Sequence, residues 1–93
     1  MPANFYLLSN KRGGTLYAGS TTDFRRRLCE HRSKAVPGFT RKYKIIRLVY
    51  LEEHRLLMDA RYRERRVKFW RRAWKIALME RENPDWNDLA HRL

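Results

Sequence analysis

Glu64 is the residue hardest to explain by folding alone. Between Arg55 and Phe69, Leu57, Ala60, Glu64 and Val67 recur at i, i+3, i+7 and i+10, one stripe of a helix with a carboxylate in the middle of its apolar face. An ionised carboxylate turned toward a core is costly unless it is paired or bound to a metal. Two readings follow. One is a structural salt bridge to a neighbouring arginine. The other is a metal ligand at the floor of a basic cleft, where one carboxylate with water and phosphate oxygens suffices to hold Mg²⁺. Arg27 and His31 stand one helical turn apart, at i and i+4. They read as a solvated basic face with a half-buried histidine. Alternatively, the arginine clamps a phosphate and offsets charge developing at phosphorus, while the histidine assists proton transfer or orients a phosphate. Tyr6 and Tyr17 fall on adjacent predicted strands. Most strand tyrosines only pack, but two hydroxyls on one side of a sheet could position an attacking water or accept its proton. A phenol with its usual pKa near 10 is a poor base unless its surroundings lower that value.

These residues need a scaffold, and the sequence describes one. Asn4–Ser9 reads as a first strand, with Phe5 and Leu7 on one face and Tyr6 and Leu8 on the other, as in a strand covered on both sides. Lys11-Arg12-Gly13-Gly14 is a hairpin turn. Thr15–Gly19 is a second, antiparallel strand, in which Tyr17 points opposite to Leu16 and Ala18. Thr21-Thr22-Asp23 offers several N-caps for a helix running to about Ser33, with Phe24, Leu28 and His31 inward and Arg27 beside that stripe. Ala35–Thr40 is a loop. A third strand lies within Lys42–Glu52, centred on Ile45–Leu51. Its near-continuous apolar run suggests two buried faces, although an alternation through Ile46, Leu48 and Tyr50 is also visible. The Glu64 helix comes next. Trp70, Ala73, Trp74, Ala77 and Leu78 then mark the inward stripe of a third helix, and its continuity with the second is open. Asn83-Pro84-Asp85 is suited to start a last short helix, with Asn83 as cap and Pro84 at its first position. Trp86 and Leu89 would pack that helix on the body.

Ninety-three residues are enough for one domain, with no internal repeat and no second domain visible. The 22 Lys and Arg against 10 Asp and Glu leave a formal charge of +12, which favours a polyanionic partner and opposes self-association. Aromatic residues are frequent and no Gly/Ser-rich or Pro-rich tract occurs, so this is a folded basic domain rather than a basic tail. Cys29 is alone, which excludes an internal disulfide and a cysteine-based metal site and favours an intracellular setting. No apolar run is long enough to cross a membrane and no secretory leader is visible, so no membrane partner is expected. The basic residues most suited to a nucleic-acid backbone are Arg25, Arg26, Arg41, Lys42, Arg63, Lys68, Arg71 and Lys75. No helix carries a strong base-reading signature, which points to low sequence specificity.

The ordered set of Phe5-Tyr6, Tyr17-Ala18-Gly19, Arg27, His31 and Glu64, with the closing Asn83-Pro84-Asp85-Trp86, resembles the GIY-YIG nuclease domain, and over nearly the whole chain the small stand-alone bacterial proteins of that family. The resemblance implies an α/β (α+β) fold, a three-stranded antiparallel sheet flanked by helices, as one domain over residues 1–93. It implies a single divalent ion, Mg²⁺ or Mn²⁺, held by Glu64. It also implies water activation at Tyr17 with Tyr6 beside it, stabilisation of pentacovalent phosphorus by Arg27, His31 in the site, and Asn83 as a further catalytic candidate. Phe5-Tyr6-Leu7 stands where the family has Gly-Ile-Tyr, and Ala18 stands for the isoleucine of the second motif; neither change removes a reactive group.

The reading is therefore a metal-dependent endonuclease of DNA, structure-directed or low in sequence specificity. A cytoplasmic, nucleoid-associated location is expected, with room for a protein partner that supplies specificity. Two alternatives stand beside it: a non-catalytic module that binds DNA or structured RNA on the same scaffold, and a basic interaction protein bound to ribosomal RNA. Neither has an evident need for a carboxylate at Glu64.

Overall fold

The computed structural model describes residues 2–32 and 47–92. The chain order is β1 (Ala3–Ser9), β2 (Leu16–Thr21), α1 (Phe24–Arg32), β3 (Arg47–His54), α2 (Leu57–Lys68), α3 (Arg72–Glu80) and a closing 3₁₀ turn, Leu89–Arg92. The strands form an antiparallel sheet in the order β2-β1-β3, so the fold is the α+β arrangement expected. The predicted loop Ala35–Thr40 and the start of the predicted third strand, Ile45 and Ile46 included, lie outside the described residues.

The central position of β1 follows from its sequence. Phe5 and Leu7 enter a cluster with Val49, Tyr50, Val67, Met79 and Trp86 beneath α2 and α3. Tyr6 and Leu8 enter another with Phe24, Leu28 and Leu48 beneath α1. All four β1 side chains are buried, each contributing about 2 kcal/mol of transfer free energy, so the strand is stable only with a layer on both sides. The turn into β2 is closed by Gly14 N donating to Lys11 O at 3.0 Å and Thr15 N donating to Asn10 Oδ1 at 3.0 Å. Gly13 takes φ +70° there, which glycine alone adopts without steric cost. Arg72, opening α3, donates to the Gly13 and Gly14 carbonyls at 2.8 and 2.6 Å and ties that helix to the turn. Asp23 caps α1, its Oδ1 accepting from Arg26 N.

Three expectations change. In β3, Leu7 pairs with Tyr50 but Leu8 pairs with Leu48, so Val49 is the extra residue of a β-bulge. Val49 and Tyr50 both face α2 and α3, whereas Leu48 faces α1, and the alternation through Leu48 and Tyr50 is broken. The second and third helices are separate, with a turn at Phe69–Arg71. That restart rotates α3, so Met79 is buried and Ile76 and Leu78 pack against the core, while Ala73, Trp74 and Ala77 are exposed. Asn83 does not open a helix: the chain turns there, places Trp86 at φ +59°, and becomes helical only at Leu89. Trp86 is buried and Leu89 packs on the α1 side, as expected of both. Among the described residues no helix is long and apolar enough to cross a membrane.

Candidate active site

Tyr6 comes from the central strand and pairs across the sheet with Gly19. Its ring packs edge-on against Phe24 of α1, with centroids 4.9 Å apart. A Cβ at Gly19 would overlap the Tyr6 hydroxyl and ring carbon, so the glycine leaves the space the phenol occupies. Tyr17 stands two residues earlier on β2, on the same face and half-buried. Arg27, in the second turn of α1, donates to Glu30 Oε2 at 3.3 Å, and Arg26 donates to Glu30 Oε1 at 3.1 Å. Glu30 thereby holds Arg27 in one orientation beside the tyrosines.

Glu64 reaches the same place from α2. The Ser20 hydroxyl, on the opposite face of β2 from Tyr17, donates to Glu64 Oε1. Among the described residues Glu64 has no ion pair, although Arg61, Arg65 and Lys68 line a groove of about 490 Å³ with it and Phe69. The salt-bridge reading of Glu64 therefore fails within the described residues, and Oε2 has no partner there.

The electrostatics tie the set together. Burial pushes the Tyr6 phenol well up; Tyr17, Glu64 and Glu30 push it the same way and Arg27 opposes them. Burial and then Glu64 raise Tyr17, with Arg27 again opposing. Both phenols therefore keep their protons at neutral pH. They are hydrogen-bond donors that can orient a water or a phosphate oxygen, not ready-made bases. The arrangement gathers a carboxylate, a guanidinium and two phenols at the β2 edge, with cations on the rim, which suits a phosphodiester and its developing charge.

Asn83 is not part of this group. It is 4% exposed and lies beyond β3. Its Nδ2 donates to Val49 O at 3.0 Å and to Asn87 O at 2.9 Å, and its Oδ1 accepts from Asn87 N at 3.0 Å. The structure gives it a structural role, holding the carbonyl of the bulge residue Val49. Arg63 is also turned away. One position before Glu64, it faces β3, donates to Glu52 at 3.1 and 3.4 Å, and stacks over Trp70. Arg25 is exposed on α1, and Arg71 lies over the exposed Trp74 ring. Lys68 is on the Glu64 groove. Lys75 is half-buried, its ammonium pKa lowered by burial and by Arg72 and Lys68, so a positive strip runs from the groove toward the hairpin turn. The His31 backbone is in the last turn of α1; its side chain, like Arg41 and Lys42, lies outside the described residues.

Ser20 and Glu30 were not anticipated. Strand alternation puts Ser20 on the α2 face, which was a usable signal, and Glu30 at i+3 and i+4 from two arginines was another. A GIY-YIG catalytic domain matches residues 2–77. The chain belongs to the GIY-YIG family. It is 40% identical over 68 residues to a UPF0213 protein of Desulfotalea psychrophila, covering 72% of this chain and 62% of that protein, so the match spans less than two thirds of that relative's length. It is 36% identical over 76 residues to a UPF0213 protein of Bacillus pumilus, covering 82% and 76%. The solution NMR structure of a UPF0213 protein from Bacillus halodurans has the same fold, with a TM-score of 0.59 and 28% identity over 97% of this chain and 95% of that one. The GIY-YIG match makes a nucleic acid the substrate class its family implies. Of the residues quoted from the motif, Tyr6 pairs with Gly19 across the sheet, and the charges of Arg27 and Glu64 both act on the Tyr6 and Tyr17 phenols.

Proposed function

We propose that this GIY-YIG protein is a metal-dependent endonuclease that hydrolyses DNA phosphodiester bonds with little sequence specificity. The observation that carries the reading is Glu64, a carboxylate in a groove lined by cations yet paired with none of them among the described residues. Its donor set fits one hard divalent ion, Mg²⁺ or Mn²⁺. Glu64 offers oxygen alone, and no group of three or more His, Cys, Asp or Glu gathers among the described residues, so water and phosphate oxygens would complete the shell. Such an ion, when bound, supplies Lewis-acid polarisation of the phosphate and stabilises the leaving oxygen.

The remaining work falls to the chain's own side chains. Ser20 holds Glu64 by donating to Oε1 and leaves Oε2 without a partner among the described residues. Arg27, oriented by Glu30, meets the charge that grows on the equatorial oxygens as phosphorus becomes pentacovalent. The Tyr17 and Tyr6 hydroxyls, kept protonated by burial, orient the attacking water through hydrogen bonds, and His31 on α1 takes up or delivers the proton. One carboxylate at the centre suits one metal ion, and a single active site cuts one strand per visit.

The test is a panel of labelled duplex, single-stranded, nicked, flapped and four-way DNA with a structured RNA, incubated with Mg²⁺, Mn²⁺ or EDTA. Glu64→Ala is expected to lower the cleavage rate by at least about 10³-fold, the several kcal/mol that a metal contributes, with binding nearly unchanged. EDTA should do the same to the wild type. Cleavage retained in Glu64→Ala would sink the assignment. Tight binding by both proteins with no products would make the domain a non-catalytic binder.

A further inference from the structure

The outer face of α2 carries two parallel rows, one of cations that border the Glu64 groove and one of aromatic rings to which the proposed chemistry gives no part. Tyr62 on α2 and Phe69, the residue that caps its C-terminus, are seven residues apart, which sets them on one side of the helix and roughly 10 Å apart along its axis. They are 60% and 83% exposed. Beside them run Arg61, Arg65 and Lys68 at i, i+4 and i+7. The two rows line two adjoining grooves that share Arg61 and Arg65. One holds Glu64 and Phe69, and the other, about 310 Å³, holds Tyr62 with Met58. Arg66 lies over the Tyr62 ring, 5.6 Å from its centroid, and donates to its hydroxyl at 3.0 Å, so that ring is held in place. Met58 is 76% exposed as well, so the two grooves share an open wall of large side chains rather than one stray ring.

Resting on the nuclease reading, we infer that this track binds a strand of unpaired nucleotides. Phe69 would be the platform on which a base stacks beside the scissile phosphate, and Arg61, Arg65 and Lys68 would carry the backbone. A row of aromatic faces next to a row of cations is what a single strand requires, since every base has a stacking face and every linkage a charge. A duplex would use the cations but offer no base face to Phe69, because its bases are stacked on one another. A second copy of the chain is disfavoured by its formal charge of +12 and by the three cations inside the patch. The track leads directly to Glu64, so it would select single strands, flaps and gaps over continuous duplex.

The test is fluorescence anisotropy in EDTA, with a short labelled oligothymidine and a labelled hairpin duplex, on wild type, Phe69→Ala and Phe69→Trp. Loss of one base stack is expected to weaken oligothymidine binding by Phe69→Ala roughly tenfold or more, with duplex binding changed less than about twofold, and Phe69→Trp should restore the single-strand affinity. Phe69 is so exposed that the variant should melt with the wild type, which a thermal scan checks. Equal losses on both probes, or none on either, would overturn the inference. So would a Phe69→Ala loss confined to binding of vesicles containing phosphatidylserine. The titration involves no metal and no turnover. Single-strand binding that depends on Phe69 in a protein that cuts nothing would therefore fail the nuclease reading and leave the track assigned. Cleavage of duplex and single strands alike, indifferent to Phe69, would do the reverse.

Discussion

Removing the Asn83 side chain separates fold from chemistry. In Asn83→Ala the chain loses the bonds to Val49 O, Asn87 O and Asn87 N, at 3.0, 2.9 and 3.0 Å. Each is worth about 1 kcal/mol net, and the bulge carbonyl left unpaired in the interior adds on the order of 1 kcal/mol, for a total of about 4 kcal/mol. The same turn sets Trp86 at φ +59°, a conformation that costs a non-glycine residue roughly 1 kcal/mol and persists only while its surroundings enforce it. Against a total stability of about 5–15 kcal/mol for such a domain, the midpoint of thermal unfolding should fall by roughly 16–32 °C. Asn83→Asp keeps the shape but turns a carboxylate oxygen toward two carbonyl oxygens, so it should be worse than alanine. Urea unfolding followed by tryptophan fluorescence would read the loss as a lower midpoint at unchanged slope. The cleavage rate per folded molecule, measured well below the transition, should match the wild type. A variant as stable as the wild type but unable to cut would refute the structural role and return Asn83 to the chemistry.

Gly19→Ala acts on the site itself. The new methyl overlaps the buried Tyr6 phenol, which Phe24 prevents from swinging aside, so about 1–3 kcal/mol of overpacking strain is expected. Cleavage should fall at least about tenfold in protein that remains folded, as a displaced positioning group implies; unchanged cleavage would show that Tyr6 is only packing. Glu52 should govern acid stability. Burial alone would raise its pKa, but donation from the Tyr50 hydroxyl at 2.8 Å, the His54 ring nitrogen at 2.6 Å and Arg63 outweigh it and hold it below the usual carboxylate range. A carboxylate depressed by folding stabilises the fold above its unfolded pKa and stops doing so as pH falls through its folded pKa. The stability gap between wild type and Glu52→Gln, from urea curves at a series of pH values, should therefore be full at neutral pH and close below about pH 4; a gap independent of pH would mean the network owes nothing to the charge.

What could be seen in the residues divides by the range of the cause. Phe5-Tyr6-Leu7-Leu8 told of a central strand because both faces of one short segment are apolar, and that is local information. The grouping of Tyr6, Tyr17, Arg27 and Glu64 came from the resemblance to the GIY-YIG domain, since periodicity shows only which face of its own element each residue takes. The bulge at Val49 was not legible, since it depends on how β3 meets β1 and on a side chain 34 residues away that receives its carbonyl. Asn83 was misjudged for the same reason: an asparagine before a proline looks like a helix cap, and only the tertiary fold shows that it braces a strand. Arg63 and Glu64 are neighbours in sequence, yet the helix turn between them sends one to β3 and the other to β2, which charge counting cannot reveal.

That division across the sheet is also how the molecule keeps its carboxylates apart. Glu64 belongs to α2 and Glu52 faces that helix from β3, but Glu52 at the β3 edge is saturated by Tyr50, His54 and Arg63, and it is Arg63 that supplies the cation. Glu64 at the β2 edge receives one hydroxyl. Were Arg63 to turn toward Glu64 instead, the site would hold a completed ion pair and no oxygen to offer an ion. The Glu52 network therefore serves the β2 edge indirectly. By holding Arg63 more than half-buried on the β3 side of α2, it keeps that arginine off Glu64, which shares a groove with Arg61, Arg65 and Lys68 and pairs with none of them among the described residues.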